Sequence, residues 1–95
     1  MTESALAKFT PEDIEMATNT AREALNNSPD DTLLNWSNSN TGHSGSVKVY
    51  DTRQVGETTC REVLFEHNAI TIVQSTKYFV CQQADDRWQV TSRNN

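Results

Sequence analysis

Ninety-five residues with eight Lys or Arg against thirteen Asp or Glu give a formal charge of −5, and 35% of the chain is hydrophobic. That length makes one domain with a modest core and excludes a second. Scattered cations in an acidic chain argue against nucleic acid and anionic membrane surfaces as partners, and no run approaches the ~18 apolar residues of a membrane span.

Residues 1–9 read as a flexible lead-in, lacking both the basic and the apolar portions of a secretory leader. Two settings are consistent with that: a cytoplasmic protein, or an exported one whose leader has been removed. Thr10-Pro11-Glu12-Asp13 then supplies a capping hydroxyl, proline at the first helical position and acids in the first turn. Ile14, Ala17, Ala21, Ala24 and Leu25 follow at three- and four-residue spacing, and Asn26-Asn27-Ser28-Pro29 stops the run. The spacing predicts a helix from Thr10 to Asn26 whose narrow, alanine-rich stripe packs closely on a sheet.

Beyond Pro29 the period becomes two. Strands are expected at Thr32 to Ser37 and Ser46 to Tyr50, joined by the polar loop Asn38 to Gly45, and again at Thr58 to Glu66, Ala69 to Ser75, Lys77 to Gln83 and Arg87 to Thr91. His67-Asn68, Ser75-Thr76 and Asp85-Asp86 read as the reversals of an antiparallel meander. The fold class is α+β, one N-terminal helix on a curved antiparallel sheet of five to six strands, forming a single domain over 10–92 with a frayed tail at 93–95.

No set of residues converges on a chemistry. Gly42-His43-Ser44-Gly45-Ser46 has serine where a hydrolase elbow needs glycine, and it joins two strands. His67 reads as a solvated turn residue, and Asp30-Asp31 and Asp85-Asp86 lack the spaced oxygens of a calcium loop. Cys60 and Cys81 have no CxxC partner, so a metal site is not expected and no cofactor is implied. These two cysteines either form one disulfide of an exported domain or stay reduced and buried. With a strand between them, a flat meander would hold them too far apart to bond. Trp36 and Trp88 read as half-buried core anchors.

Three segments carry a resemblance: Trp36 to Val47 with Gly42 and Gly45, Gly56 to Glu62 with Cys60 and Arg61, and Val80-Cys81 followed by Asp86 to Val90 with Trp88. In order and spacing they resemble the C-terminal domain of the bacterial seventeen-kilodalton surface-antigen family. Family members are outer-membrane lipoproteins or periplasmic proteins in which a lipidated cysteine and a glycine zipper precede this domain. Neither feature occurs here, and Ser39 stands where the family usually has proline. The resemblance implies periplasm or outer membrane and structural roles for Trp36, Gly42, Gly45, Cys60, Arg61, Cys81 and Trp88. It implies no catalytic residue. The expected function is therefore a non-enzymatic envelope module that binds a protein or another envelope component through its sheet face or the loop Asn38 to Gly45. The alternatives are an inhibitor of a basic enzyme such as a lysozyme, a cytoplasmic homodimer joined at a sheet edge, and a small hydrolase using His43 or His67 with a nearby acid.

Overall fold

The computed structural model describes residues 4–91. Residues 93–95, expected to fray, lie outside the described residues. Two helices, α1 (Ala5–Lys8) and α2 (Pro11–Asn27), precede five strands, β1 (Thr32–Asn38), β2 (His43–Val55), β3 (Thr58–Asn68), β4 (Val73–Gln82) and β5 (Trp88–Val90). The strands form one open antiparallel sheet in the order β1-β2-β3-β4-β5. The predicted α+β architecture is thus present with five strands. Within the lead-in, Ala5–Lys8 forms one helical turn with Ala5 buried.

Helix α2 starts where the sequence says it should. Thr10 caps it and accepts from the Asp13 amide, while the Asp13 carboxylate accepts from the Thr10 amide, a reciprocal capping box. The helix lies over β1 and β2 and buries Asp13, Ala17, Ala24 and Leu25.

The antiparallel register sorts every strand residue onto one of two faces. Toward α2, rows run Thr32, Val49, Val63, Tyr78 and Leu34, Val47, Phe65, Thr76, with Trp36, Gly45, His67 and Gln74 beside them. Ala24, Leu25, Val47, Val49, Val63 and Val80 form the buried core, flanked by Leu34, Phe65, Tyr78 and Trp88. Away from α2, rows run Leu33, Lys48, Leu64, Lys77 and Asn35, Ser46, Glu66, Ser75.

The strand boundaries differ from the sequence reading in one consequential place. Residues 69–75 and 77–83 are not two strands: Ala69 to Ile72 make the reversal, where the Ala69 amide donates to the Ile72 carbonyl, and 73–82 is a single strand. Ser75-Thr76 is therefore mid-strand rather than a turn, and His67 belongs to β3 rather than to a loop. Asn68 does the turning, its side-chain oxygen accepting from the amide of Ile70, which sits at φ 73°. With no strand between them, Cys60 and Cys81 face each other directly across β3 and β4, 4.0 Å apart at Cα, and are bonded. The separation anticipated from an intervening strand does not exist. Strand β2 also runs on to Val55, past a register shift at Val49/Asp51, before Gly56 turns the chain at φ 66°.

Candidate functional site

The residues singled out by sequence come together as fastenings between α2 and the sheet. They gather at the two ends of the helix.

At the N-terminal end stands Asp13, fully buried. Its Oδ2 accepts from the Thr10 amide at 2.8 Å and from His43 Nδ1 at 2.7 Å, while Oδ1 accepts from Asn38 Nδ2 and Thr41 Oγ1, both at 2.8 Å. Burial pushes this carboxyl up, but hydrogen bonds led by that from His43 outweigh it and hold Asp13 well below the usual carboxylate range. An ionised Asp13 requires the proton on His43 Nδ1. The loop expected to offer a contact surface is consequently tied inward. Asn38 is itself buried, its oxygen accepting from the Asn40 amide and its nitrogen also reaching Glu12, and Thr41 accepts from the His43 amide. Gly42 closes this turn at φ 77°.

Beside it, Trp36 is buried and meets Phe9 edge-on at 5.3 Å between ring centres. Gly45 lies opposite Trp36 in register, and a Cβ there would fall 2.5 Å from the indole nitrogen and 2.6 Å from the Glu66 carbonyl oxygen. Glycine is what lets the indole cross the strand. At the far end, Arg61 is buried and occupies the C-terminus of α2. It donates to the carbonyls of Leu25 and Ser28 at 2.7 Å each and of Ala24 at 3.3 Å, to Thr52 Oγ1 at 2.9 Å and to Asp30 at 3.2 Å. A cation on the last carbonyls complements the helix dipole and satisfies groups that a helix end leaves open. Asp30 is held below its ordinary value, first by Thr52 and then, against burial, by Arg61. At the same end, Trp88 donates from Nε1 to Asn26 at 2.8 Å.

The half-buried reading of the tryptophans fits Trp88; Trp36 is more enclosed. His67 is a correction. It is 6% exposed, packed against Phe9 and Phe65, and burial lowers its pKa. Of the hydrolase alternative's requirements, one is met: His43 does pair with an acid. The grooves flanking α2, however, are lined by neither His43 nor Asp13. Among the described residues no group of three or more His, Cys, Asp or Glu is placed to hold a metal ion.

A family model described as 17 kDa outer membrane surface antigen matches residues 23–89. The chain belongs to the 17 kDa outer membrane surface antigen family. Its coarse setting is accordingly the cell envelope. No curated protein and no solved structure gives a significant match. In this member of the surface-antigen family, Arg61 and Trp88 tie the C-terminal end of α2 to the sheet, Gly45 makes room for Trp36 to pack against Phe9, and Cys60–Cys81 clamps the sheet's other face. No helix among the described residues is long and apolar enough to cross a membrane.

With α2 packed on one side, the outer face of the sheet has no covering layer among the described residues. Leu33 there is 52% exposed, and Leu64, Tyr50 and Phe79 are partly so. Arg53 lies over the Phe79 ring at 5.5 Å and pairs with Glu62 at 2.9 Å, and Lys77 lies over Tyr50 at 5.8 Å. Lys48, Arg53 and Lys77 are matched by Asp51, Glu62 and Glu66, so this face is close to neutral. Aromatic and aliphatic side chains separated by paired charges make the kind of patch that protein interfaces use.

Proposed function

We infer that the chain is a non-enzymatic, protein-binding module of the bacterial envelope that engages its partner through the bare outer face of its sheet. The observation carrying this reading is the row Leu33, Lys48, Leu64, Lys77, which crosses four strands with no layer over it among the described residues while α2 covers the opposite side. The Cys60–Cys81 bond supports an exported setting, since a reducing cytoplasm disfavours structural disulfides. A photo-crosslinking residue introduced at Leu64, and separately at the exposed helix residue Glu15, tests it in the producing bacterium. Discrete adducts are expected from position 64 and none from position 15. Adducts from position 15 alone would overturn the assignment of the face.

A second reading draws on the distribution of charge. The neutral sheet leaves the net negative charge elsewhere, and Glu12, Glu15 and Glu23 are exposed on α2. An acidic helix suits a cationic partner, and inhibition of a lysozyme is the concrete form of that idea. Unchanged lysozyme rates in low salt with micromolar protein would remove it.

A further inference from the structure

Strand β1 pairs only with β2, so its other side is an edge of the sheet. Which backbone groups lie on that side follows from the register. The Asp31 amide donates to the Val49 carbonyl, so Val49 turns its carbonyl toward β1, and its register partner Thr32 turns its backbone toward β2. Alternation along the strand does the same for Leu34, Trp36 and Asn38, and leaves the amides and carbonyls of Leu33, Asn35 and Ser37 directed outward. All three residues are exposed, and no strand among the described residues lies on that side.

Folded sheets guard such an edge with lysine, proline, a bulge or a very short strand. Here none of these is present: Thr32–Asn38 has seven residues, no charge and no proline, and its pairing with β2 runs without a register shift. Nor does the rest of the fold cover it. Helix α2 leans away, the Leu25 carbonyl meeting Arg61 of β3 and Asn26 meeting Trp88 of β5. Near its two ends the described chain is fastened to β4, where the Ala5 amide bonds Gln74 and the Thr91 amide bonds the Phe79 carbonyl. The outer side of β1 lies about 19 Å from there, farther than the roughly 14 Å that four extended residues span.

We propose that two copies of the chain join through the outer edges of β1, antiparallel about Asn35, into one continuous sheet. The edge is self-complementary. A two-fold axis at Asn35 sets Asn35 opposite its copy and Leu33 opposite the copy's Ser37, so every outward amide and carbonyl of the three residues finds a partner. The strand carries no charge to repel its copy or to select a different chain. The Asn35 side chain, exposed and without a hydrogen-bond partner among the described residues, meets its equivalent at the axis. That axis stands perpendicular to the sheet, so both α2 helices stay on one side, and the two outer faces merge on the other with a Leu33 on each side of the join. The pairing uses the backbone edge rather than the outer face, and stands or falls independently of binding there.

The test is sedimentation velocity of the intact chain from about 1 μM to about 1 mM, the range in which a contact as small as one strand edge associates. A dimer that grows with concentration is expected, with hydrogen exchange slowing at the Leu33, Asn35 and Ser37 amides as it forms. Asn35→Lys, which sets two like charges face to face, should weaken the dimer at least about tenfold. Asn35→Pro removes only an outward amide, so it should fold and stay monomeric, and either variant decides the matter if the other fails to fold. Asn35→Cys should crosslink to its copy under mild oxidation, because directly opposed hydrogen-bonded residues lie about 5.5 Å apart at Cα, and Ser37→Cys should not. A monomer throughout this range, or a dimer untouched by both Asn35→Lys and Asn35→Pro, would overturn the proposal. A dimer lost in Leu64→Glu but kept in Asn35→Lys would put the contact on the outer face and overturn the edge pairing while leaving the proposed binding face in place.

Discussion

Removing the Arg61 side chain tests whether the signature residues hold the helix down. In Arg61→Ala the carbonyls of Leu25 and Ser28 lose partners at 2.7 Å, and Ala24, Thr52 and Asp30 lose weaker ones. Hydrogen bonds from a charged donor contribute about 1.5–3 kcal/mol each when buried. They do not add, because water reaches part of the vacated space and Asp30 is 40% exposed, so its ion pair counts for little. The expected loss is about 2–4 kcal/mol, set mainly by the two short carbonyl contacts. For a domain of this size that lowers the melting temperature by roughly 10–25 °C. Thermal and urea unfolding of wild type, Arg61→Ala and Arg61→Lys measure it. The lysine variant should recover only part of the loss, because an ammonium is a single point donor where the guanidinium spans several acceptors. A loss under about 0.5 kcal/mol for alanine, or full recovery by lysine, would refute the reasoning.

Three further outcomes follow from the same geometry. Gly45→Ala should cost about 1–3 kcal/mol in urea unfolding, because its Cβ meets the Trp36 indole and the Glu66 carbonyl, whereas Gly56→Ala, with open space around it, should show only the smaller cost of its φ of 66°. Stability should fall on acidification in two stages. His67, lowered from 6.5 in the folded state, loses its contribution as pH drops through that value. Asp13, lowered from 3.8, contributes fully above that value and progressively less below it. Melting curves against pH should therefore lose their upper acid limb in His67→Phe and their lower one in Asp13→Asn, and unchanged limbs would contradict the buried assignments. Reduction of Cys60–Cys81, which closes a sequence separation of 21, should lower stability by about 3 kcal/mol, read from melting with and without reductant.

Much of the helix was legible because its signals are local. Thr10, Pro11 and Asp13 lie within one turn, and the capping box they form needs no tertiary partner. The sheet was legible in kind but not in register. Residues 69–82 are polar and β-branched in mixture, so Ser75-Thr76 looked like a turn, while the actual reversal at Ala69 to Ile72 contains two isoleucines whose turn conformation depends on the Asn68 side chain. That single misplacement moved Cys60 and Cys81 apart and pushed His67 into solvent. The Asp13–His43 pair was not legible, because the partners are 30 residues apart and Asp13 already had a sufficient local role as a capping acid. Arg61 emerged only through the resemblance: nothing near it in sequence says that its guanidinium meets the end of a helix 36 residues earlier. Glu12-Asp13 followed by an Asn-rich, Gly-terminated loop was the one available hint that α2 and that loop share a buried carboxylate.

Binding is proposed to reside on the bare sheet face while the signature residues carry the fold. Co-sedimentation of the purified chain with isolated envelopes of the producing bacterium, for wild type, Leu64→Glu and Glu15→Lys, tests it most directly when each variant's melting temperature is matched. The account predicts that Leu64→Glu melts like wild type and stays in the supernatant, while Glu15→Lys sediments as wild type does. Retained sedimentation of a folded Leu64→Glu would contradict it.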